Sequence, residues 1–97
     1  MVMITFEWDE TKNKANLKKH KISFEEAKSV FGDPHGRLIP DPDHSSNEER
    51  YILLGLSDEL KILVVCHCYR KSSTVIRIIS ARKALRHEKN EYERWLK

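Results

Sequence analysis

Residues 61–84 read "KILVVCHCYRKSSTVIRIISARKA". Two runs rich in β-branched and apolar residues flank a short polar break, the pattern of an antiparallel hairpin. Side chains alternate between the faces of a strand, so Ile62, Val64, Cys66 and Cys68 share one face and Leu63, Val65, His67 and Tyr69 the other. In the second run Ile76 and Ile78 share a face, with Val75, Arg77 and Ile79 opposite. A three-residue loop at 71–73 pairs 70 with 74, and therefore His67 with Arg77. Upstream, "ERYILLGLS" (49–57) reads as another strand, and a short loop around "SDEL" pairs 56 with 61 and so brings Arg50 beside His67. The expectation is a transverse row, Arg50, His67 and Arg77, on one face of an antiparallel meander.

The same stretch sets a puzzle, because its cations look misplaced. Past Ser80, "ARKALRHEKNEYERWLK" (81–97) has Ala81, Leu85, Tyr92 and Leu96 near one helical face, with Ala84, Glu88 and Trp95 beside them. This predicts a C-terminal helix capped by Ser80 and packed on the sheet. Arg82 and Lys83 then fall in the first helical turn, where the helix dipole disfavours cations by about 0.3–1 kcal/mol each. Two arginines flanking a histidine on a sheet also repel unless an anion sits among them. A bound phosphate over the row and the N–H groups after Ser80 accounts for both features. The competing reading pairs each arginine with an acid: Glu48 or Asp43 for Arg50, and a glutamate of the C-terminal helix for Arg77.

Towards the N-terminus, "MITFEWD" (3–9) predicts a strand with Ile4, Phe6 and Trp8 on one face, ending at a helix cap, Asp9. A thin, basic surface helix follows from about Glu10 to His20, anchored by Ala15 and Leu17. In "ISFEEAKSVFGDP" (22–34), Ser23 and Glu26 form a capping box, Ala27, Val30 and Phe31 give the apolar stripe, and Gly32 and Pro34 end the helix. Residues 33–47 read as an irregular connection with a short edge strand at Arg37 to Ile39. Asp33, His35, Asp41, Asp43 and His44 in that connection could ligate a metal, but their spacing matches no motif with a known mechanism, so a polar loop is preferred. The fold class expected is α+β: an antiparallel sheet with N-terminal helices and a C-terminal helix packed on it, in one domain spanning 1–97.

Composition narrows the function. The 97 residues are 39% hydrophobic and 34% charged, with 3 Gly and 3 Pro, which suits an ordered globular chain with one compact site. The net charge of +3 is unevenly spread: residues 61–87 carry seven Lys or Arg and no acid, and "KNKANLKKHK" (12–21) carries five Lys and no acid. Segregation of this kind favours a polyanionic partner, although solvated basic faces would read the same way. Cys66 and Cys68 alternate along a strand, too far apart for an unstrained bridge, and read as reduced thiols in a reducing, cytoplasmic compartment. His67 points away from both sulfurs, which argues against a metal at "CHC". Neither an export leader nor a membrane span is indicated.

A histidine among arginines suits RNA cleavage without a metal. The ribose 2′-OH attacks the adjacent phosphate, which needs a proton acceptor, a proton donor for the leaving 5′-oxygen, and cations for the growing charge. His67 would exchange protons, Arg50 and Arg77 would supply charge, and Tyr69 would stack a base or hydrogen-bond a phosphate. DNA, lacking the nucleophile, should resist. A binding module without catalysis and a metal-dependent nuclease built on the 33–44 loop are the alternatives.

The stretches "FEWDETKNKANLKKHKISFEEAKSVFGDP", "EER" and above all "IRIISARKA" resemble the BrnT family of toxins from bacterial type II toxin–antitoxin systems. The resemblance implies a ribonuclease with a RelE-like fold; no cofactor is expected, because the dense cation field already supplies the charge that a metal would bring. It also implies a ribbon-helix-helix antitoxin of the BrnA kind, with which the toxin would bind operator DNA as an autorepressor. The family pattern covers His20, Arg50, Arg70, Arg77, Ser80, Arg82 and Lys83, and it places His67 where family members often carry an aromatic residue or histidine. Lys21 replaces the usual glycine after His20, and Cys68-Tyr69 replaces the familiar Thr-Glu, removing a general base at that position.

Overall fold

Strand β4, Ile62–Arg70, and strand β5, Val75–Lys83, form the central hairpin of the computed structural model, which describes residues 3–41 and 49–96. Around it the chain adds β1 (Thr5–Glu7), α1 (Glu10–His20), α2 (Phe24–Ser29), a 3₁₀ turn (Val30–Gly32), β2 (Arg37–Pro40), β3 (Tyr51–Leu56) and α3 (Arg86–Trp95). The sheet order is β1-β5-β4-β3-β2, antiparallel except for the parallel pairing of β1 with β5. The architecture is the expected α+β one, with helices on both faces of the sheet.

Both hairpin registers differ by one residue from the sequence expectation. The β4–β5 turn pairs Arg70 with Val75, and Lys71, Ser72 and Ser73 all take positive φ angles, of 51°, 57° and 71°. His67 therefore lies opposite Ile78, and Cys68 opposite Arg77. On the other side Leu56 pairs with Ile62, and Tyr51 rather than Arg50 lies opposite His67. One residue of slip transfers a side chain to the other face, so the row Arg50, His67, Arg77 does not form.

A β-bulge then corrects the hairpin. Cys66 pairs with Ser80 and His67 with Ile78, which leaves Ile79 as the extra residue of β5. In an unbroken ladder Ser80 would oppose Val65 and Arg82 would oppose Leu63, two residues of the fully buried core. With the bulge Ala81 takes the place opposite Val65, while Ser80 and Arg82 turn to the other face. Core packing thus selects the bulge.

On the first face Ile22, Phe24, Ala27 and Val30 from the α2 region pack on Leu53, Leu63, Val65, Ile78 and Ala81, flanked by Phe6, Trp8 and Phe31. Gly55 admits the 3₁₀ turn there: a Cβ would stand 2.8 Å from Val30 Cγ1 and 3.2 Å from Asp33 Oδ2. Ser23 caps α2 through the Glu26 N–H, but the Glu26 carboxylate does not return to Ser23; it accepts from Ser57 Oγ and Lys61 Nζ instead. Only half of the capping box is present.

Helix α1 has the predicted bounds and the predicted cap, with the Asp9 carboxylate accepting from the Thr11 and Lys12 N–H groups. Its anchor is a different residue. Ala15 is exposed and Leu17 is 48% exposed, whereas Asn16 is buried. Asn16 Nδ2 donates to the Ile22 and Ala81 carbonyls, each at 2.8 Å, and its Oδ1 accepts from the Ala81 N–H at 3.1 Å. Strand β1 pairs with β5 only through 75–77, so Asn16 serves as the neighbour that this edge of β5 lacks further along. Lys21 closes α1 in the left-handed conformation, φ 63°, with its N–H donating to the Leu17 carbonyl.

At the C-terminus the structure overturns the cap assignment. Ser80, Arg82 and Lys83 belong to β5, which pairs with β4 as far as Lys83↔Leu63, and α3 begins at Arg86 with Leu85 as its N-cap. The ladder with the nine-residue β4 continues through these residues, so the supposed conflict of cations with a helix dipole does not arise. Of the four residues assigned to the buried helical face, Ala81 is in β5, Leu85 and Leu96 are largely exposed, and Tyr92 alone is a buried member of α3. Tyr92 packs with Leu54, Val64 and Ala84, and its hydroxyl donates to Asp33 Oδ2.

Candidate functional site

The bulge determines what the second face presents. Arg77 and Ser80 are three residues apart and would point to opposite faces of a regular strand. With Ile79 bulged, Arg77 opposite Cys68, Ser80 opposite Cys66 and Arg82 opposite Val64 all share the face that α3 partly covers. Beside this stripe lies a cleft of about 270 Å³. Ile52, Val64, Ile79 and Ala81 supply apolar lining, and His20, Asp41, Arg50, Cys66, Ser80 and Arg82 supply polar groups. Helix α1, held by Asn16, delivers His20 from its last residue, and Arg50 directly precedes β3. A larger hollow of about 560 Å³ between β1 and α2 is mostly apolar, lined by Ile4, Phe6, Phe31 and Ile76, with Lys28, Glu25 and Asp58 as the charged residues among those described.

Of the residues expected to act on RNA, the cleft gathers His20, Arg50, Ser80 and Arg82. Arg77 stands on the same face nearer the hairpin turn, its Nη1 2.8 Å from Glu7 Oε2, and the same carboxylate oxygen is 3.6 Å from Arg70 Nε. Arginine–acid pairing therefore does occur, with Glu7 rather than with a glutamate of α3. Lys83 lies apart, at the strand end with Lys61 and Lys89.

His67 and Tyr69 are on the opposite face. His67 is 0% exposed, enclosed by Phe31 at 4.8 Å, Tyr69 at 5.3 Å and Tyr51 at 6.2 Å between ring centroids. Its Nδ1 is 3.1 Å from the Val65 carbonyl, which can only accept, so Nδ1 carries the proton and Nε2 accepts from the Tyr69 hydroxyl at 3.4 Å. Burial lowers the pKa of His67 and keeps it neutral. It is a satisfied core histidine, out of reach of a substrate.

Charge in the cleft is organised by two carboxylates that the sequence did not assign to it. Burial, reinforced by Asp41, pushes the Cys66 thiol up to about 11, against the opposing pull of Arg50, so Cys66 stays protonated and donates to Asp41 Oδ2 at 3.6 Å. Glu88 of α3 accepts from Arg82 Nη1 at 2.8 Å and from Nη2 at 3.0 Å. That hydrogen bonding raises the pKa of Arg82 and lowers that of Glu88. The six-residue spacing of Arg82 and Glu88 is the signal, legible only once the strand is known to end between them.

Among the described residues no three His, Cys, Asp or Glu side chains converge to hold a metal ion. Asp33, one residue of the imagined metal loop, accepts from the Leu56 and His35 N–H groups and from Tyr92, and these bonds outweigh burial to lower its pKa. Asp43, His44 and Glu48 lie outside the described residues. No described helix is long and apolar enough to cross a membrane.

Comparison with known proteins bears on this geometry. The sequence profile described as the ribonuclease toxin BrnT of type II toxin–antitoxin systems matches residues 8–88. The crystal structure of the Brucella abortus ribonuclease toxin BrnT superposes with a TM-score of 0.66 at 22% identity, covering 87% of this chain and 100% of that one. At that identity the superposition establishes a shared fold. No curated protein sequence matches the chain.

Proposed function

Since the chain belongs to the BrnT family of ribonuclease toxins of type II toxin–antitoxin systems, we propose that it cuts RNA internally in the cleft beside the β5 bulge, by attack of the 2′-OH and without a metal ion. The observation that carries the reading is the bulge, which turns Ser80 and Arg82 to the face where Arg50 and His20 already stand. Arg50 and Arg82 offset the charge that grows on the phosphoryl oxygens, and the Ser80 hydroxyl adds a donor. An imidazole can both take and give a proton, so His20, the one histidine among the described residues that line the cleft, takes the acid–base role that the sequence suggested for His67. Arg77 and Arg70 extend the cationic stripe towards the hairpin turn. Ser80 and Arg77 are separated by about 10 Å of strand, enough for the neighbouring nucleotide.

The partner is an antitoxin of the BrnA-like, ribbon-helix-helix kind with an acidic contacting segment that covers this face; operator DNA is reached through that complex. Their association then weakens as salt rises, and an affinity indifferent to salt contradicts the acidic segment. Such a toxin would meet its RNA in the cytoplasm.

The test of the activity is incubation of the partner-free protein with labelled RNA and matched DNA in excess EDTA, mapping product ends. RNA-only cleavage leaving 2′,3′-cyclic phosphates supports the reading. Cleavage that appears only when a divalent ion is restored refutes the metal-free chemistry.

A further inference from the structure

We infer that Glu88 is a positioning residue for RNA cleavage, holding the Arg82 guanidinium so that one fixed edge faces the phosphate. The inference rests on the cleft reading above and extends the site to α3.

Arginine carries five N–H groups in a planar fork, with two edges able to grip an oxyanion in bidentate fashion. Glu88 takes the end of the fork, one oxygen on Nη1 and the other on Nη2. The Lys83 carbonyl accepts from Nη1 as well, at 3.2 Å. What is left is the side edge, Nε–H with the outer N–H of Nη2, and neither has a partner among the described residues. That edge presents two parallel donors, the arrangement that fits two phosphoryl oxygens.

Glu88 is itself anchored. Its Oε1 accepts from the Leu85 N–H at 2.7 Å, and it sits in the first turn of α3, where the helix terminus favours a negative charge. The carboxylate side chain is 18% exposed against 38% for Arg82. The carboxylate is therefore the fixed member of the pair and the guanidinium the one being aimed. Holding Arg82 before substrate arrives removes the ordering of a long, flexible side chain from the reaction step. A surface ion pair with no such role would contribute little and would tolerate rearrangement.

The test uses the full chain with Glu88→Gln, Glu88→Asp, Arg82→Ala and the double variant Arg82→Ala/Glu88→Gln. The readouts are kcat and KM on an RNA oligonucleotide, affinity for its uncleavable 2′-deoxy analogue, and thermal unfolding to confirm the fold. With Glu88→Gln, kcat falls about ten- to a hundredfold as the guanidinium loses its alignment, while affinity for the analogue changes little. Glu88→Asp keeps the charge but withdraws the carboxylate by one methylene, and it lowers kcat as well. In the Arg82→Ala background Glu88→Gln adds nothing. Unchanged cleavage in folded Glu88→Gln and Glu88→Asp, with Arg82→Ala inactive, overturns the positioning role and spares the cleft. Faster cleavage or tighter analogue binding in Glu88→Gln overturns it too, because Glu88 would then compete with RNA. Full activity in Arg82→Ala overturns both readings.

Discussion

Replacing Asn16 by alanine should cost this fold at least as much as truncating a core leucine or isoleucine. The side chain satisfies three backbone groups, the carbonyls of Ile22 and Ala81 and the N–H of Ala81. Each buried group left without a partner costs about 1–3 kcal/mol, and the gain in helix propensity on going to alanine returns only about 0.5 kcal/mol. For three groups the net loss is about 2.5–8.5 kcal/mol, a large part of the roughly 5–15 kcal/mol typical of a whole domain. Urea denaturation measures it: with a slope of about 1–3 kcal/mol/M, the midpoint falls by about 1 M or more while the slope stays constant. Asn16→Asp separates hydrogen bonding from shape. It keeps the acceptor for Ala81 but sets a carboxylate against two carbonyls, so it is at least as damaging at pH 7 and recovers partly as the pH falls and the group is protonated. A loss below about 1 kcal/mol in Asn16→Ala, well short of the cost of even two stranded groups, refutes the view that this side chain docks α1 on β5. His20 lies one turn beyond Asn16, so the same variant should lose cleavage activity at urea concentrations too low to unfold it.

Further outcomes follow from other residues. The lowered pKa of buried His67 means that below the ordinary histidine value near 6.5 the unfolded chain takes up a proton that the folded one refuses. Stability should therefore fall as the pH drops from 7 towards 5, by up to about 1.4 kcal/mol per pH unit from this group, and the effect is absent above pH 7. Denaturation curves of His67→Gln against the parent isolate it, and equal pH slopes refute it. Lys21→Gly relieves the left-handed backbone at φ 63° and should stabilise by about 1 kcal/mol, read as a rise in urea midpoint; an unchanged or lower midpoint counts against strain there. Gly55→Ala forces a methyl group to within 2.8 Å of Val30 Cγ1 and should destabilise by about 1–3 kcal/mol in thermal unfolding, a neutral result showing that the 3₁₀ turn shifts freely.

Much of the fold was legible because it rests on period and punctuation. Alternation in 62–70 marked β4, Asp9 and Ser23 marked two helix starts, and the turn-rich run after Gly32 marked the connection to an edge strand. What was not legible turned on single residues. Hairpin register depends on loop length, and three non-glycine residues with positive φ made the β4–β5 turn one residue longer than expected. The bulge at Ile79 leaves no compositional mark; it follows from the need to keep Ser80 and Arg82 out of the core and to admit Ala81. Asn16 was hidden because a buried amide that replaces a strand looks like any polar residue on a surface helix. The ingredients of the proposed cleft, His20, Arg50, Ser80 and Arg82, were therefore legible, whereas His67 was set among the cations because the one-residue register error put Arg50 and Arg77 on its face of the sheet.

Two histidines, His20 in the cleft and His67 in the core, decide whether chemistry takes place at the bulge. Initial rates of RNA cleavage in EDTA should be compared for the parent, His20→Ala and His67→Gln, each confirmed as folded by its thermal transition. Chemistry in the cleft requires that His20→Ala lose about a hundredfold or more, as removal of an acid–base group does, while folded His67→Gln stays within a few fold of the parent. Loss of cleavage in His67→Gln with full activity in His20→Ala would contradict it and return the site to the other face of the sheet.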